Sequence, residues 1–263
     1  MLKKIFWLYT IAFARKRFQK FNKLLYFLSL HGLGILNYEN SRVSGEERFL
    51  KTYLANKSGI VLDIGANQGN YTENVIKYNS MTKVYAFEPH PVTWIKLRDR
   101  FRDSPSVVIV NQGMSNESGS LMLYDYRDRN GSSHASLFSD VITDIHSCDD
   151  AFSHLVELTT LDKFSDENNI QEICLLKIDV EGNELKVLKG AQRLIKEKRI
   201  NAIHFEFNEM NTCSRSFFRD FWQILEDFKL YRLLPESMLE IHGYSPVSCE
   251  IFAYQNIVAI RDC

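Results

Sequence analysis

Short apolar segments alternate with longer amphipathic segments along most of the chain. The apolar segments have four to six residues and lie between polar or glycine-containing stretches, as expected for strands buried on both faces; they are Ile60–Ile64, Val84–Phe87, Val107–Val110, Leu175–Ile178, Ala202–Phe207 and Ile257–Ile260. Strands that alternate with helices are typical of a parallel sheet covered on both sides. The pattern therefore predicts an α/β domain.

The amphipathic segments carry apolar residues three or four positions apart, which is the spacing of one helix face. The first predicted helix spans Asn70–Tyr78, directly after the first strand, and the second begins at Pro91, a residue that suits the first turn of a helix. The other predicted stripes are Trp94, Leu97 and Phe101; Leu185, Leu188, Ala191 and Ile195; and Phe217, Phe221, Ile224, Leu225 and Phe228. We expect all three stripes to pack on the sheet.

An irregular insertion, about residues 112–160, separates the third and fourth predicted strands. Within it, Ser120–Tyr126 and Leu155–Thr160 alternate apolar and polar residues, which favours an antiparallel ribbon. The polar loop Asn130–Ser136 contains His134 and is either a substrate contact or an exposed tip.

The segment VLDIGANQGNY, residues 61–71, runs from a strand through an acid and two glycines into a helix. Gly65 suits a tight turn, and Gly69 allows another backbone to approach closely. Asn67 tolerates a left-handed conformation. The free amide groups of the following helix favour a bound anion, and the missing middle glycine favours a carboxylate over a pyrophosphate. Asp63 could then accept hydrogen bonds from an ammonium group.

A second acid supports a nucleotide site. Glu88 ends the apolar strand in KVYAFEPHP and follows Gly69 by 19 residues (88 − 69). An acid at about this distance from a glycine turn is positioned to accept hydrogen bonds from ribose hydroxyl groups.

Composition narrows the possible partners. The chain has 263 residues, 45% of them hydrophobic, which is enough for a full core, and its net charge of −1 gives no general attraction to nucleic acid. The five cysteines are scattered and contain no C-x-x-C pair, which argues against a disulfide framework or a zinc site and favours the cytoplasm.

The first part of the chain, residues 1–45, differs from the rest. Seven Lys or Arg residues precede the first acid, Glu39, and aromatic and aliphatic residues lie between them. The apolar stretch Ile5–Ala14 is too short to span a bilayer and is not followed by a cleavage site. A basic amphipathic helix could contact the inner face of a membrane or a glycosyltransferase, or could pack on its own domain, residues 46–263.

Four sequence blocks together carry a family resemblance: DIGANQGNY (63–71), FEPHP (87–91), TTLD (159–162) and ICLLKIDVEGNELKVLKG (173–190). In this order and spacing, across about residues 46–209, they resemble the FkbM family of S-adenosylmethionine (SAM)-dependent methyltransferases. That family acts mostly on hydroxyl oxygens of sugars and of polyketide or related natural products. The resemblance implies an O-methyltransferase whose acceptor is a small molecule or a glycan.

The resemblance also implies a fold and a cofactor site. The expected fold is Rossmann-like, with a mostly parallel seven-stranded sheet whose last strand is antiparallel. The residues implied for SAM binding are Asp63, Gly65, Asn67, Gly69, Tyr71, Glu88 and Asp179, together with Gln112 and Gly113 in the segment that meets the adenine.

Transfer of a methyl group to a hydroxyl oxygen needs alignment of both reactants and a group that takes the proton. Acids and histidines at the carboxyl ends of the fourth and fifth strands are the candidates, and they are Asp179, His204 and Glu206, with His134 of the polar loop as a further candidate. Glu181 is either a site residue or a cap for the next helix. No metal ligand is predicted, since two acids on separate strands lack diagnostic spacing.

Two other functions are compatible with a glycine turn. A nicotinamide-dependent sugar dehydrogenase or epimerase would also use Glu88, but the Gly65–Gly69 turn and the lack of a Tyr-x-x-x-Lys pair after the fourth strand argue against it. A non-catalytic scaffold would have no need of Asp63, Gly65, Gly69 and Glu88. The preferred acceptor is a surface polysaccharide or its lipid-linked or nucleotide-linked precursor. Oligomeric state is left open by the sequence.

Overall fold

A computed structural model describes residues 1–126, 131–132, 135–145 and 151–261, and its central feature is a long mixed sheet. The strands of these residues are, in chain order, β1 (Gly59–Ile64), β2 (Thr82–Phe87), β3 (Val107–Val110), β4 (Gly113–Met114), β5 (Gly119–Tyr126), β6 (Ala151–Thr159), β7 (Leu175–Ile178), β8 (Ala202–Phe207), β9 (Phe228–Leu233), β10 (Met238–Glu240) and β11 (Gln255–Arg261).

The main sheet has eight strands in the order β10-β9-β11-β8-β7-β1-β2-β3. The five strands from β8 to β3 are parallel, and β11 runs antiparallel to both β8 and β9. The predicted parallel sheet and its antiparallel last strand are therefore confirmed. The sheet has eight strands rather than the expected seven, because Met238–Glu240 adds a short edge strand beside β9.

The helices in the described part of the chain cover both faces of the sheet. In chain order they are α1 (Leu2–Phe13), α2 (Gln19–Gly32), α3 (Glu46–Tyr53), α4 (Asn70–Tyr78), α5 (Pro91–Arg100), α6 (Leu161–Glu167), α7 (Glu184–Lys189), α8 (Gln192–Lys196), α9 (Met210–Cys213), α10 (Phe218–Ile224) and α11 (Pro246–Cys249). A 3₁₀ turn (Lys16–Phe18) lies between α1 and α2, and a π-helical turn (Val141–Ile145) follows the described part of the polar loop.

Side chains of alternating residues divide the core into two apolar layers. One layer contains Ile64, Phe87, Ile178 and Phe205 and packs under α6, α7, α8 and α10. The layer on the other face contains apolar side chains of the sheet, Phe49 of α3 and apolar side chains of α4. Polar side chains interrupt that second layer near the carboxyl ends of the strands, which is where the site lies.

The predicted ribbon is confirmed. Strand β5 pairs antiparallel with β6 over its whole length, and β4 adds a parallel partner to β6. Leu123, Val156 and Leu158 form a small apolar cluster on the ribbon. The ribbon lies beside the end of β2, because His90 Nε2 is 3.3 Å from Asp125 Oδ2 of β5 and Gly113 of β4 lies close to Pro89.

Two helix predictions are corrected by the structure. The stripe from Leu185 to Ile195 is not one helix, because α7 ends at Lys189 and the Asp162 carboxylate accepts hydrogen bonds from the backbone N–H groups of Arg193 and Leu194 at the start of α8. The stripe that ends at Phe228 is also shorter than predicted. Phe228 begins strand β9 and pairs with Arg261.

The segment after α2 joins the sheet. Ile35 is fully buried and bridges to Gln255, while the Leu36 N–H donates to the Tyr254 carbonyl oxygen at 2.7 Å. Gly34 approaches the β9 backbone closely. In the described residues, none of the helices has the length and apolar character needed to cross a membrane.

Candidate active site

Two adjoining cavities lie at the carboxyl ends of β1, β2, β7 and β8. The larger has a volume of about 520 Å³ and the smaller about 280 Å³. Both are lined by Gly65, Asn67 and Asp179, so these three residues mark the place where the cavities meet. Ligands of open α/β sheets bind at this edge.

The glycine turn forms the wall between the cavities. Gly65 has a φ of +82°, and a Cβ atom there would lie 1.8 Å from the Asp179 carbonyl oxygen, so only glycine allows the turn to approach β7. Asn67 takes the expected left-handed conformation with a φ of 49°. Gly69 serves a different purpose from the one expected. It packs against Leu97 and Phe101 of α5 and lines neither cavity.

Asp63 lies on the floor of the smaller cavity. Its side chain is buried and accepts a hydrogen bond from Thr72 Oγ1 at 2.6 Å. Burial raises the pKa of Asp63 to about 6, although the Thr72 hydrogen bond and the Lys177 charge partly oppose that rise. An ammonium group bound in this cavity would favour the ionised form.

Lys177 is the main site residue that the sequence reading missed. Its side chain is 2% exposed, and its Nζ lies 3.6 Å from Asp179 Oδ2 and 3.9 Å from Glu206 Oε1. Among the described residues, no group accepts a hydrogen bond from this Nζ. Burial lowers the pKa of Lys177, but the surrounding carboxylates outweigh this effect and raise it, so the group is a cation.

Asp179 and Glu206 form a carboxyl pair in front of Lys177. The Asp179 side chain is 36% exposed and faces both cavities, whereas Glu206 is 14% exposed and faces the larger one. Burial and the neighbouring Asp179 charge raise the pKa of Glu206 well above its usual range. This shift favours the protonated form of Glu206 more than in an exposed glutamate.

Glu46 is a second residue that the sequence reading missed. It begins α3 and lines the smaller cavity together with Asp63, Asp179 and Lys177. Loss of hydration raises the pKa of Glu46 to about 7, and the charges of Asp179 and Asp63 contribute to the rise. The smaller cavity thus carries three carboxyl groups and one ammonium group, which suits a ligand with a positive charge.

His204 lies in the interior and lines neither cavity. Its Nδ1 is 3.1 Å from the Tyr71 hydroxyl and its Nε2 is 2.9 Å from Asn256 Oδ1. Burial, reinforced by Lys177, lowers its pKa well below the usual value, so the ring is neutral. The structure therefore places His204 as a support for Tyr71, whose side chain does line the smaller cavity.

Glu88 lies in the larger cavity at the end of β2. Its carboxylate accepts hydrogen bonds from the backbone N–H groups of Asn67 at 2.9 Å and His90 at 2.8 Å. Burial raises its pKa to about 7 against these hydrogen bonds. Gly113 and Met114 line the same cavity, whereas Gln112 lines neither.

The far side of the larger cavity is formed by segments from distant parts of the chain. Tyr38 and Tyr254 are in edge-to-face contact, with ring centroids 6.0 Å apart, and both line the cavity. The insertion contributes Ser132 and Leu137, and the residues after β8 contribute Asn208, Glu209 and Met210. Aromatic faces beside amide and carboxyl groups are suited to an acceptor that has both apolar faces and hydroxyl groups.

Glu181 lines the larger cavity, and no side-chain hydrogen bond is made at the N-cap position of the following helix, Asn183. His134 lies outside the described residues. Among the residues that the structure does describe, no cluster of three or more His, Cys, Asp or Glu side chains is arranged to hold a metal ion.

The fold and the site define a class of protein. A mostly parallel sheet, a glycine turn between β1 and α4, and an acid at the end of β2 are the features of a Rossmann-like protein that binds a nucleoside cofactor. Residues 63–233 match the family model described as the methyltransferase FkbM domain. The chain therefore belongs to this family, and this membership disfavours the nicotinamide-dependent alternative.

Relatives of known name are methyltransferases. The chain is 26% identical over 149 residues to the hexuronic acid methyltransferase AglP of Haloferax volcanii, covering 56% of each chain. It is 21% identical over 202 residues to the 2-O-methyltransferase NoeI of Sinorhizobium fredii, covering 73% of this chain and 81% of that one. The chain thus spans just over half the length of the first relative.

A solved structure of a methyltransferase-like protein aligns along most of the chain. It is SMU.1697c, a putative methyltransferase from Streptococcus mutans in complex with SAH, with 10% identity, a TM-score of 0.44, and coverage of 82% of this chain and 96% of that one.

The site residues fit SAM, the cofactor that the family resemblance implies. Asn67 Oδ1 and Lys177 Nζ are buried polar atoms that lack a hydrogen-bond partner among the described residues, and both residues line the smaller cavity. Glu46 and Asp63 would hold the ammonium group, and Glu88 with Gly113 and Met114 would hold the adenosine. The donor, when bound, supplies an electrophilic methyl group. The residues of the chain have the remaining tasks of alignment and proton removal.

Proposed function

We propose that the protein methylates a hydroxyl group of a sugar in a glycan or glycan precursor. One observation carries this proposal: Asp179 stands where the two cavities meet, and with Glu206 it faces a larger cavity that has an aromatic wall. The names of the two relatives, a hexuronic acid methyltransferase and a 2-O-methyltransferase, support a sugar acceptor.

Asp179 is the general base in this proposal. An acceptor hydroxyl in the larger cavity would donate its proton to Asp179, whose carboxylate the Lys177 ammonium stabilises. Glu206, which lines the larger cavity, would hold the acceptor by a hydrogen bond, and its raised pKa favours the protonated form that can donate one. His204 keeps Tyr71 in position. The proposed methyltransferase domain comprises residues 46–263.

The experiment that tests this function uses a panel of acceptors. The protein is incubated with SAM and with neutral glycosides, uronic acid glycosides and nucleotide-linked sugars, and mass spectrometry detects the gain of one methyl group. Asp179→Asn should lower turnover roughly 100-fold or more and still bind SAH, because it removes the base and keeps the shape. Methylation of nitrogen or carbon acceptors alone would contradict the proposal.

A further inference from the structure

The first 29 residues, here called the N-terminal arm, extend from the domain with their apolar side chains uncovered. Of the 25 large apolar side chains that are exposed in the described part of the chain, 14 belong to this arm. None of the residues of α1 is buried. Trp7, for example, is 62% exposed. Such a concentration of exposed apolar surface marks an interaction site.

Helix α1 is apolar on every side. Its sequence LKKIFWLYTIAF has polar residues at only Lys3, Lys4 and Thr10, so no face is reserved for water. A helix that is apolar all round is stable when other apolar groups surround it. The 12 residues of α1 span about 18 Å, which is shorter than the roughly 30 Å apolar core of a bilayer. The helix suits the boundary between headgroups and acyl chains.

The arm is a defined structure with a fixed corner. The Phe13 ring contacts Phe18 and Phe21, and Asn22 Nδ2 donates to the Phe13 carbonyl oxygen at 3.0 Å. The Tyr9 hydroxyl also donates to Asn22 Oδ1. These contacts hold α1 against the start of α2, so the apolar helix and the basic corner move together.

The charge of the arm specifies the partner. All its ionisable side chains other than tyrosine are basic and exposed, and no acid occurs before Glu39; the basic residues are Lys3, Lys4, Arg15, Lys16, Arg17, Lys20 and Lys23. Five of the seven lie at the corner or in the first turns of α2. Clustered basic residues beside an apolar helix complement a surface of anionic lipids.

We propose that the N-terminal arm binds the surface of an anionic lipid bilayer, with α1 in the interfacial region and the corner against the headgroups. The arm is linked to the site through a short segment. Leu30 and Ile35 are buried in the domain, and the next residues, Leu36 and Tyr38, line the larger cavity. Lipid binding would therefore hold the segment that lines the acceptor cavity near the membrane, and its use for a lipid-linked acceptor rests on the proposed function.

The test uses the full chain and vesicles of phosphatidylcholine with or without phosphatidylglycerol. We expect sedimentation with the anionic vesicles only, weakened by salt, and a blue shift of tryptophan fluorescence that the Trp7→Phe variant lacks. Reversal of three charges, Lys16→Glu with Arg17→Glu and Lys20→Glu, should weaken binding on the order of 100-fold or more. Phe6→Ser with Trp7→Ser should also weaken it.

The matched control reverses three exposed basic residues elsewhere, Lys96→Glu with Lys189→Glu and Lys196→Glu, and should bind vesicles nearly as the natural chain does. Calorimetry with SAH checks that every variant retains its cofactor site, which separates this proposal from the proposed reaction. Equal binding by the arm and control variants would overturn the proposal. A lack of vesicle binding would also overturn it. Dimers that are detected by sedimentation velocity and abolished by the Phe6 and Trp7 changes would do the same, because a second copy of the chain would then cover the arm.

Discussion

Lys177 determines the charge state of the carboxyl pair, because its ammonium group is buried within 4 Å of both members. We predict that Lys177→Met folds and raises the pKa of Glu206 further, because the Lys177 charge that lowers this pKa is then missing. The acidic limb of the pH profile of turnover should move upward by about one pH unit or more. Turnover should then fall at pH 7 and largely recover at pH 9.

The measurement is turnover against pH with the acceptor found in the panel. Leu176→Met is the matched control, because it changes a buried side chain of the same strand on the opposite face without a change of charge. An unaltered pH profile in Lys177→Met would show that the lysine has a packing role only.

Glu88 has a simpler test that needs only the cofactor. Glu88→Gln loses the negative charge, and its amide group cannot accept from both Asn67 and His90 N–H groups as the carboxylate does. We expect SAH affinity to fall by about 1 to 3 kcal/mol, the range for a charge-assisted hydrogen bond. Calorimetry measures the loss. Glu73→Gln changes an exposed acid of α4 and is the control, which should bind SAH normally. Equal SAH affinities of the two variants would show that Glu88 does not bind the cofactor.

At the scale of elements, the turn between β1 and α4 determines whether the site forms. Gly65→Ala combines a left-handed backbone with a Cβ atom that overlaps the Asp179 carbonyl oxygen. The left-handed conformation alone costs about 1 to 2 kcal/mol, and the overlap forces β1 and β7 apart. We therefore predict a lower free energy of unfolding in urea and undetectable SAH binding.

Gly243→Ala is the control for this change. A Cβ atom at Gly243 meets nothing within 4 Å, so its stability and affinity should match those of the natural chain. Normal SAH binding by Gly65→Ala would mean that the turn is free to move and is not the wall between the cavities.

Elements with strong local patterns could be predicted from the sequence. Strands β3, β7 and β8 have the predicted bounds, because each mostly apolar run is followed at once by a polar residue, which is Asn111, Asp179 or Asn208. The helical stripes predicted the ends of helices less well. Asp162, which is distant in the sequence, caps the start of α8 within one stripe, and Phe228 of another stripe pairs in strand β9. Local periodicity does not contain these long-range contacts.

The same distinction applies to the site. Residues in the motif blocks, such as Gly65 and Glu88, could be placed because the turn and strand end position them locally. Lys177 and Glu46 could not, since their partners come from several strands and from α3. A lysine inside the apolar strand LLKI was the available signal, because burial of a lone ammonium group requires nearby carboxylates. His204 has the sequence pattern of a site residue, but its hydrogen-bond partner Tyr71 is 133 positions away, so local sequence does not reveal that His204 supports Tyr71.

For the whole molecule, the buried acids predict how stability depends on pH. The pKa is raised to about 6 for Asp63 and to about 7 for Glu88 and Glu184, in each case mainly by burial. The folded state therefore binds protons more tightly than the unfolded chain. The resulting stabilisation is complete below about pH 4 and is lost as the pH rises through 6 to 7, and each group contributes on the order of 3 kcal/mol.

We expect the cofactor-free protein to have a higher melting temperature at pH 5 than at pH 8. Below pH 4 the trend should reverse, because hydrogen bonds hold the pKa of Asp125 below its usual range and its protonation is destabilising. Differential scanning calorimetry measures both trends. Asp63→Asn keeps an acceptor for Thr72, and its melting temperature should decrease less between pH 5 and pH 8 than that of the natural chain. A melting temperature of the natural chain that rises over that interval would contradict this account.

The position of β11 in the sheet has a consequence for how the chain folds. Strands β8 and β9 precede β11 in the chain, yet they do not pair with each other, because β11 lies between them and pairs with both. During synthesis, each therefore has an open edge until β11 emerges. Open edges pair readily with other chains, so the nascent protein is exposed to aggregation at this stage. Insertion of a late strand into an interior position also raises contact order, which makes slow folding the expected behaviour of this domain.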